Sequence, residues 1–252
     1  HTHLFAEQFN TDIDEVISRA QKAGVEKFIL PDIDISEFEP MIKLAERYPD
    51  VCYPTIGLHP TSVNADYEAE LKFVIDNIQK NKFYAIGEIG IDCYWSLDYI
   101  EQQRIVFKEQ LRLASEFDLP VIIHARESFH EIFAILDELS GLNVRGVFHS
   151  FSGNEEDYNK IKSSKTFKIG IGGIVTFKNG GIADIVKKME LSDIVLETDS
   201  PYLAPVPYRG KRNESAYIPL IAQKIADIKE INITQVAEHT SNNAKRLFGI
   251  GA

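Results

Sequence analysis

The sequence predicts an α/β fold closed into a (β/α)8 barrel, and three observations carry that prediction. From Val25 onward, seven short apolar runs alternate with segments of helical period, one pair every 25 to 30 residues or so, roughly the length of a βα unit. Residues able to bind a metal end several of those runs, from the first part of the chain to the last. A barrel gathers all its strand ends at one rim, whereas an open sheet gathers mainly those at its switch point. The chain of 252 residues, 44% apolar and 26% charged, is long enough for a large core, and no composition shift marks a boundary, so one domain over 1–252 is expected.

Each element has a local reason. Residues 12–23 place Ile13, Val16, Ile17 and Ala20 on one helical face, and Gly24 stops the helix. A strand over 25–31 follows. Ser36, with Glu39 three residues on, has the pattern of a capping box opening a second helix that runs to about Tyr48, before Pro49. The next strand covers 51–58, and a helix over 67–79 turns Leu71, Val74, Ile75 and Ile78 inward. Strand 83–91 leads to a long helix from about Leu97 to Phe117. Strands 119–124, 144–149, 166–171 and 193–198 then alternate with helices 128–139, 154–162 and 180–189. A Pro-rich loop, SPYLAPVPYRGKRNES, precedes two extra C-terminal helices at about 216–229 and 234–248. The barrel's first strand would stand before His1, and a chain that opens on His is expected to have lost an upstream segment.

Composition narrows the function. No apolar run approaches the length that crosses a membrane. Two cysteines, Cys52 and Cys93, make no disulfide framework and suit a reducing cytoplasm. With a net charge of -11, the chain as a whole repels phosphate, so a polyanionic substrate has to be held by local cations. Nothing marks an exposed interface between copies.

The stretch over 83–92, FYAIGEIGID, holds the most informative residue. Glu88 sits between Gly87 and Gly90 where a buried strand should end, and an unpaired buried carboxylate costs several kcal/mol. A cation, a proton or a metal is expected beside it. Other apolar runs lead to His59, His124, His149 and Asp199, and the chain opens with His1 and His3, whose spacing puts both imidazoles on one side of an extended segment. Each residue alone has a plainer reading. A strand-end histidine is more often bonded to a core carbonyl, His59 before Pro60 could cap a helix, and Glu197 shares the parity of Asp199 and could replace it as the inward acid. His130 and His239 lie on helices and read as structural or solvated, Cys93 and Trp95 as pocket wall, and Gly170 to Gly173 as a tight turn. The set is stronger than its members. Four histidines and two acids at strand ends suit zinc, manganese or another borderline divalent ion. Six ligands exceed what one catalytic zinc needs, and two ions bridged by a carboxylate would use them all.

Seven ordered segments carry a resemblance: HTHL at the start, GLHP at 57–60, GEIGID at 87–92, PVIIHAR at 120–126, FHSFSG at 148–153, ETDSPYLAP at 197–205 and PYRGKRN at 207–213. In these the chain resembles the TatD-type metal-dependent hydrolases, a DNase family among the amidohydrolase-like TIM barrels, over essentially its whole length. The resemblance implies His1, His3, Glu88 and Asp199 as ligands of one ion and Glu88, His124 and His149 as ligands of the other, the ions being zinc, manganese or magnesium. It departs at the start, where the family's acidic residue before the first His is absent, and at Ser215, where many relatives have Pro.

Two such ions would activate a water for phosphoryl displacement, with Asp199 as general base, Glu88 between the ions and His59 on a substrate phosphate or the leaving oxygen. Arg126, Arg209, Lys211 and Arg212 are the expected local cations, and Tyr94, Trp95, Tyr202 and Tyr208 could stack splayed bases. The implied function is a metal-dependent phosphodiesterase acting on single-stranded or end-frayed DNA, 3'-5' exonuclease-like. The alternatives are a carbonyl ester hydrolase such as a D-aminoacyl-tRNA deacylase, or a scaffold that has kept the fold.

Overall fold

The computed structural model describes residues 1–178 and 180–251. Helices and strands alternate in the order α1 (Ile13–Lys22), β1 (Phe28–Leu30), α2 (Ile35–Arg47), β2 (Cys52–Pro54), α3 (Tyr67–Asn77), β3 (Ile86–Asp92), α4 (Ile100–Glu116), β4 (Val121–Arg126), α5 (Phe129–Glu138), β5 (Gly146–Phe148), α6 (Glu155–Ser164), β6 (Phe167–Ile171), α7 (Ile182–Lys188), β7 (Ile194–Leu196), α8 (Ile218–Lys229) and α9 (Ile233–Phe248). The seven expected strands are all present. Most are shorter than their apolar runs, because a ladder needs a partner carbonyl at every step and the flanking residues bend away as loops. The chain groups into two compact units, 1–28 with 149–252, and 29–148.

In the unit of residues 29–148, β3, β4 and β5 pair in parallel, with Gly90 opposite His124 and Ile123 opposite Phe148. Every residue of β3 is buried, as a strand covered on both faces must be. Gly90 is required in it: its φ is +143°, and a Cβ there would run into the carbonyl of His124. Helix α4 packs on β3 through Val106, Phe107, Leu111 and Ala114. Two expectations fail in this unit. Helix α2 is capped by Asp34, whose side chain accepts the Ser36 N–H at 2.9 Å, so the helix starts before Ser36 and Glu39 closes no capping box. Aspartate caps a helix as well as serine does, so the earlier residue takes the position. Ile75, expected inside α3, is 46% exposed because only Leu71 and Val74 of that helix are buried.

In the unit of residues 1–28 and 149–252, β6 pairs in parallel with β7, Gly170 opposite Val195. The opening residues run alongside the end of β7: the His1 carbonyl accepts from Asp199 N–H at 3.2 Å, and His3 N–H donates to Ser200 at 2.8 Å. Helices α8 and α9 pack on each other, and Asn243 of α9 donates to the Leu191 and Ile194 carbonyls at 2.7 and 2.8 Å, fixing α9 to the start of β7. An ionic cluster ties α1 to the loop before α8. Arg212 bonds Asp12 at 2.7 Å and Glu214 at 2.9 Å, and Arg19 bonds Glu214 at 2.8 Å.

Candidate metal centre

Within residues 29–148, β3 and β4 bring Glu88 and His124 together because Gly90 lets the two backbones meet. His124 Nδ1 lies 3.0 Å from Glu88 Oε1, and His59 Nε2 lies 3.2 Å from the same oxygen. All three side chains are largely hidden, and Glu88 is 2% exposed. The other nitrogen of His124, Nε2, donates to Asp92 Oδ2 at 2.8 Å. Both ring nitrogens thus face carboxylates, which favours the doubly protonated ring; a metal beside Glu88 would take the place of the Nδ1 proton while Asp92 keeps the one on Nε2. Burial opposes charge on His124, but Asp92 and Glu88 outweigh it and push its pKa up to about 9. Burial also opposes ionisation of Asp92, yet His124 and the Tyr94 and Trp95 amides hold its carboxyl below the usual range.

His59 does two things at once. Its Nδ1 accepts the Thr61 N–H at 3.1 Å, so it caps a short 3-10 turn over Pro60–Ser62. With Nδ1 an acceptor, the neutral ring carries its proton on Nε2, facing Glu88. His59 is thereby set as a hydrogen-bond donor more than as a metal ligand.

Within residues 1–28 and 149–252, His1 Nε2 and His3 Nε2 lie 3.3 Å apart, and both face Asp199 Oδ1, at 3.4 and 3.3 Å. The extended His1–His3 segment beside β7 explains this: alternate side chains fall on one side, next to the residues that follow the strand. The His149 ring stacks on His1 with centroids 4.2 Å apart. Burial opposes charge on Asp199, but hydrogen bonds from His1 and His3 hold its carboxyl well below the usual range. Glu197 is not interchangeable with it. Its carboxylate lies 3.7 Å from His149 Nδ1, accepts the Ser150 N–H and is pushed up by burial. Gly170 leaves room for it, since a Cβ there would meet that carboxylate, while a Cβ at Gly173 would meet the Leu203 carbonyl, so close packing explains these two glycines without a phosphate loop.

Several supporting residues went unread in the sequence. Asp92 closes the GEIGID segment and keeps the parity of Glu88, the signal the sequence offers for it. Gln103 and Gln110 of α4 had none, being polar residues on a helix. Gln103 accepts from Asp92 N–H at 2.9 Å, and Gln110 both accepts from Leu58 N–H at 2.7 Å and donates to its carbonyl at 3.1 Å. Asp32, 1% exposed, accepts the Glu88 N–H on its backbone carbonyl at 2.8 Å and has its carboxyl pushed well up by burial.

The expected cations divide. Arg126 lies over the Tyr94 ring at 3.8 Å, Arg209 over Phe177 at 3.7 Å, and Lys211 is exposed. Arg212 is a correction: it is committed to Asp12 and Glu214, where two carboxylates outbid a transient ligand. Trp95 is also corrected. At 68% exposed it forms no wall. Tyr208 stacks on Tyr217 at 4.2 Å, while His130 and His239 are solvated as expected.

These donors fit a metal. A tetrahedral ion with bonds of about 2.1 Å holds its ligand atoms about 3.4 Å apart, and the His1, His3 and Asp199 donors have that spacing among themselves. Glu88 and His124 form a second group of close donors, with the His59 Nε2–H beside them. Imidazoles and carboxylates suit zinc or manganese better than calcium.

Comparison with known proteins agrees. The family described as TatD related DNase matches residues 1–249. The chain is 38% identical to an uncharacterized metal-dependent hydrolase, YabD, of Bacillus subtilis, over 99% of this chain and 98% of that protein. It is 32% identical to a 3'-5' ssDNA/RNA exonuclease TatD of Pantoea ananatis, over 98% of this chain and 97% of that one. The crystal structure of YjjV, a TatD homologue from Escherichia coli, superposes with a TM-score of 0.89 at 28% identity, covering 100% of this chain and 97% of that one. The fold is accordingly an α/β barrel of the (β/α)8 class, with α8 and α9 as added C-terminal helices.

Proposed function

The chain belongs to the TatD-related DNase family of metal-dependent hydrolases, and from that premise we propose that it is a two-metal phosphodiesterase acting on DNA, 3'-5' exonuclease-like. The observation that carries the reading is that His1, His3 and Asp199 stand close enough together to hold an ion, as do Glu88 and His124 beside His59. We assign His1, His3 and Asp199 to one ion, His124 and His149 to the other, and Glu88 to both, within one catalytic domain over 1–252. The exonuclease named among the relatives supports a nucleic-acid substrate. Cys52 and Cys93, both without a disulfide, support action in the cytoplasm.

Divalent ions held there would lower the pKa of a water and offset charge on the phosphoryl oxygens. The chain's own residues do the rest. Asp199, ionised, takes the proton of the attacking water as that oxygen bonds to phosphorus. Glu88 holds the His59 and His124 rings on one carboxylate, and His59 Nε2–H bonds a phosphoryl oxygen or donates to the leaving oxygen. Asp92 and Glu197 fix the rings of His124 and His149. Arg126, Arg209 and Lys211 supply positive charge to the polyanion.

Hydrolysis of end-labelled single-stranded DNA with manganese or magnesium, abolished by EDTA and restored by metal, is the expected outcome. A chain that is inert on DNA but releases a D-amino acid from D-aminoacyl-tRNA would move the reading to a carbonyl ester hydrolase of the same fold.

A further inference from the structure

The loop after β3 leaves a group of large side chains in water. Trp95 is 68% exposed and Tyr94 50%, and their rings meet edge to face at 5.0 Å. Arg126, at the end of β4, lies 3.8 Å from the Tyr94 centroid and 5.2 Å from that of Trp95. Among the described residues no carboxylate forms an ion pair with Arg126, whereas Arg104, Arg112 and Arg145 each hold one. An exposed indole beside an uncommitted guanidinium does nothing for the core. It offers a π face and a cation to a ligand.

The position of this cluster says which ligand. The Tyr94 and Trp95 amides both donate to Asp92 Oδ1, at 2.9 and 3.1 Å, while Asp92 Oδ2 holds His124 at 2.8 Å. Cys93 N–H donates to the Arg126 carbonyl at 3.0 Å. One carboxylate thus anchors the aromatic loop and orients a proposed metal ligand, so whatever lies on the rings stands next to the reacting centre. Resting on the nuclease reading above, we propose that Tyr94, Trp95 and Arg126 form a nucleotide-binding rim, with an unpaired base stacked on the indole and the adjoining phosphodiester on the guanidinium. A base inside a duplex has both faces covered by its neighbours, so the rim selects single strands.

Trp95 is the one tryptophan in the chain, so indole fluorescence reads this rim directly. Phosphorothioate-linked oligothymidylate, which resists cleavage, is titrated into the full chain as purified, and binding is followed in parallel by anisotropy of a labelled copy. Saturable quenching is expected, with little response to a blunt duplex of equal length. Trp95→Ala should weaken binding about tenfold and Trp95→Phe should restore most of it, as loss and recovery of one stacked base predict. Arg126→Gln should flatten the log–log salt dependence by about 0.7, the share of one single-strand phosphate contact. Binding seen by anisotropy without an indole response, equal affinity in Trp95→Ala, or an equal response to duplex overturns the rim. A chain that cleaves DNA while showing any of these loses the rim and keeps the nuclease reading. One that quenches on single strands but hydrolyses only carbonyl esters keeps the rim and loses the phosphodiesterase.

Discussion

Asp92 has one contact with His124 and two with backbone amides, and its worth lies in what it fixes. Asp92→Asn keeps the shape and removes the charge that holds the Nε2 proton. Its expected effect is a 10–100-fold loss of metal affinity, roughly, read by titration with zinc or manganese, with folding unchanged by circular dichroism. His59 is the complementary case, since its proton faces Glu88 while its Nδ1 is occupied by Thr61. His59→Asn should retain the bound metal, measured by elemental analysis, and lower kcat about 100-fold, the usual size of a general-acid contribution. Full activity in that variant would leave His59 as a helix cap alone.

Helix α4 works as a brace for the loops that carry the donors. Its buried Gln110 pairs with both backbone groups of Leu58, one residue before His59, and its Gln103 pairs with Asp92. Gln110→Leu leaves a buried N–H and C=O without partners, a cost of about 2 kcal/mol. For a chain of this size that lowers Tm by roughly 4–8 °C. Calorimetry of the variant checks it, and an unchanged Tm would mean water reaches Leu58. The same helix shows where sequence reading stopped. Its apolar period was legible, but a glutamine on a helix looks alike whether it faces solvent or a strand end.

At the scale of the whole molecule, bound ions and surface charge set stability. Removing metal with EDTA should abolish hydrolysis of every substrate and lower Tm, because a ligand that binds only the folded state stabilises it, by about 2.7 kcal/mol at 100 times its Kd. Acid acts elsewhere. Arg212 holds the Asp12 carboxyl at about 2, below its ordinary value of 3.8. A carboxyl depressed in the folded state stabilises fully above its unfolded pKa and loses that contribution as pH falls through the folded one. The Tm gap between the native chain and Arg212→Gln should therefore be constant above about pH 5 and close progressively between pH 4 and pH 2. A gap that persists at pH 2 would assign the role of Arg212 to packing over the Phe9 ring, 4.7 Å away.

Strand periodicity and residue type determined much of this protein. Alternating apolar runs fixed the α/β class, and the ends of those runs named Glu88, His124, His149 and Asp199, because a polar group closing a buried strand needs a chemical reason to be there. The i, i+2 spacing of His1 and His3 was enough to predict that their rings share a side, as they do against Asp199. Tertiary structure alone decided the second layer. That Asp92 bonds His124, that Glu197 backs His149, that Arg212 is spent on Asp12 and that Trp95 stands in water all depend on neighbours far apart in sequence. Periodicity reports which way a side chain points; only packing reports what it meets.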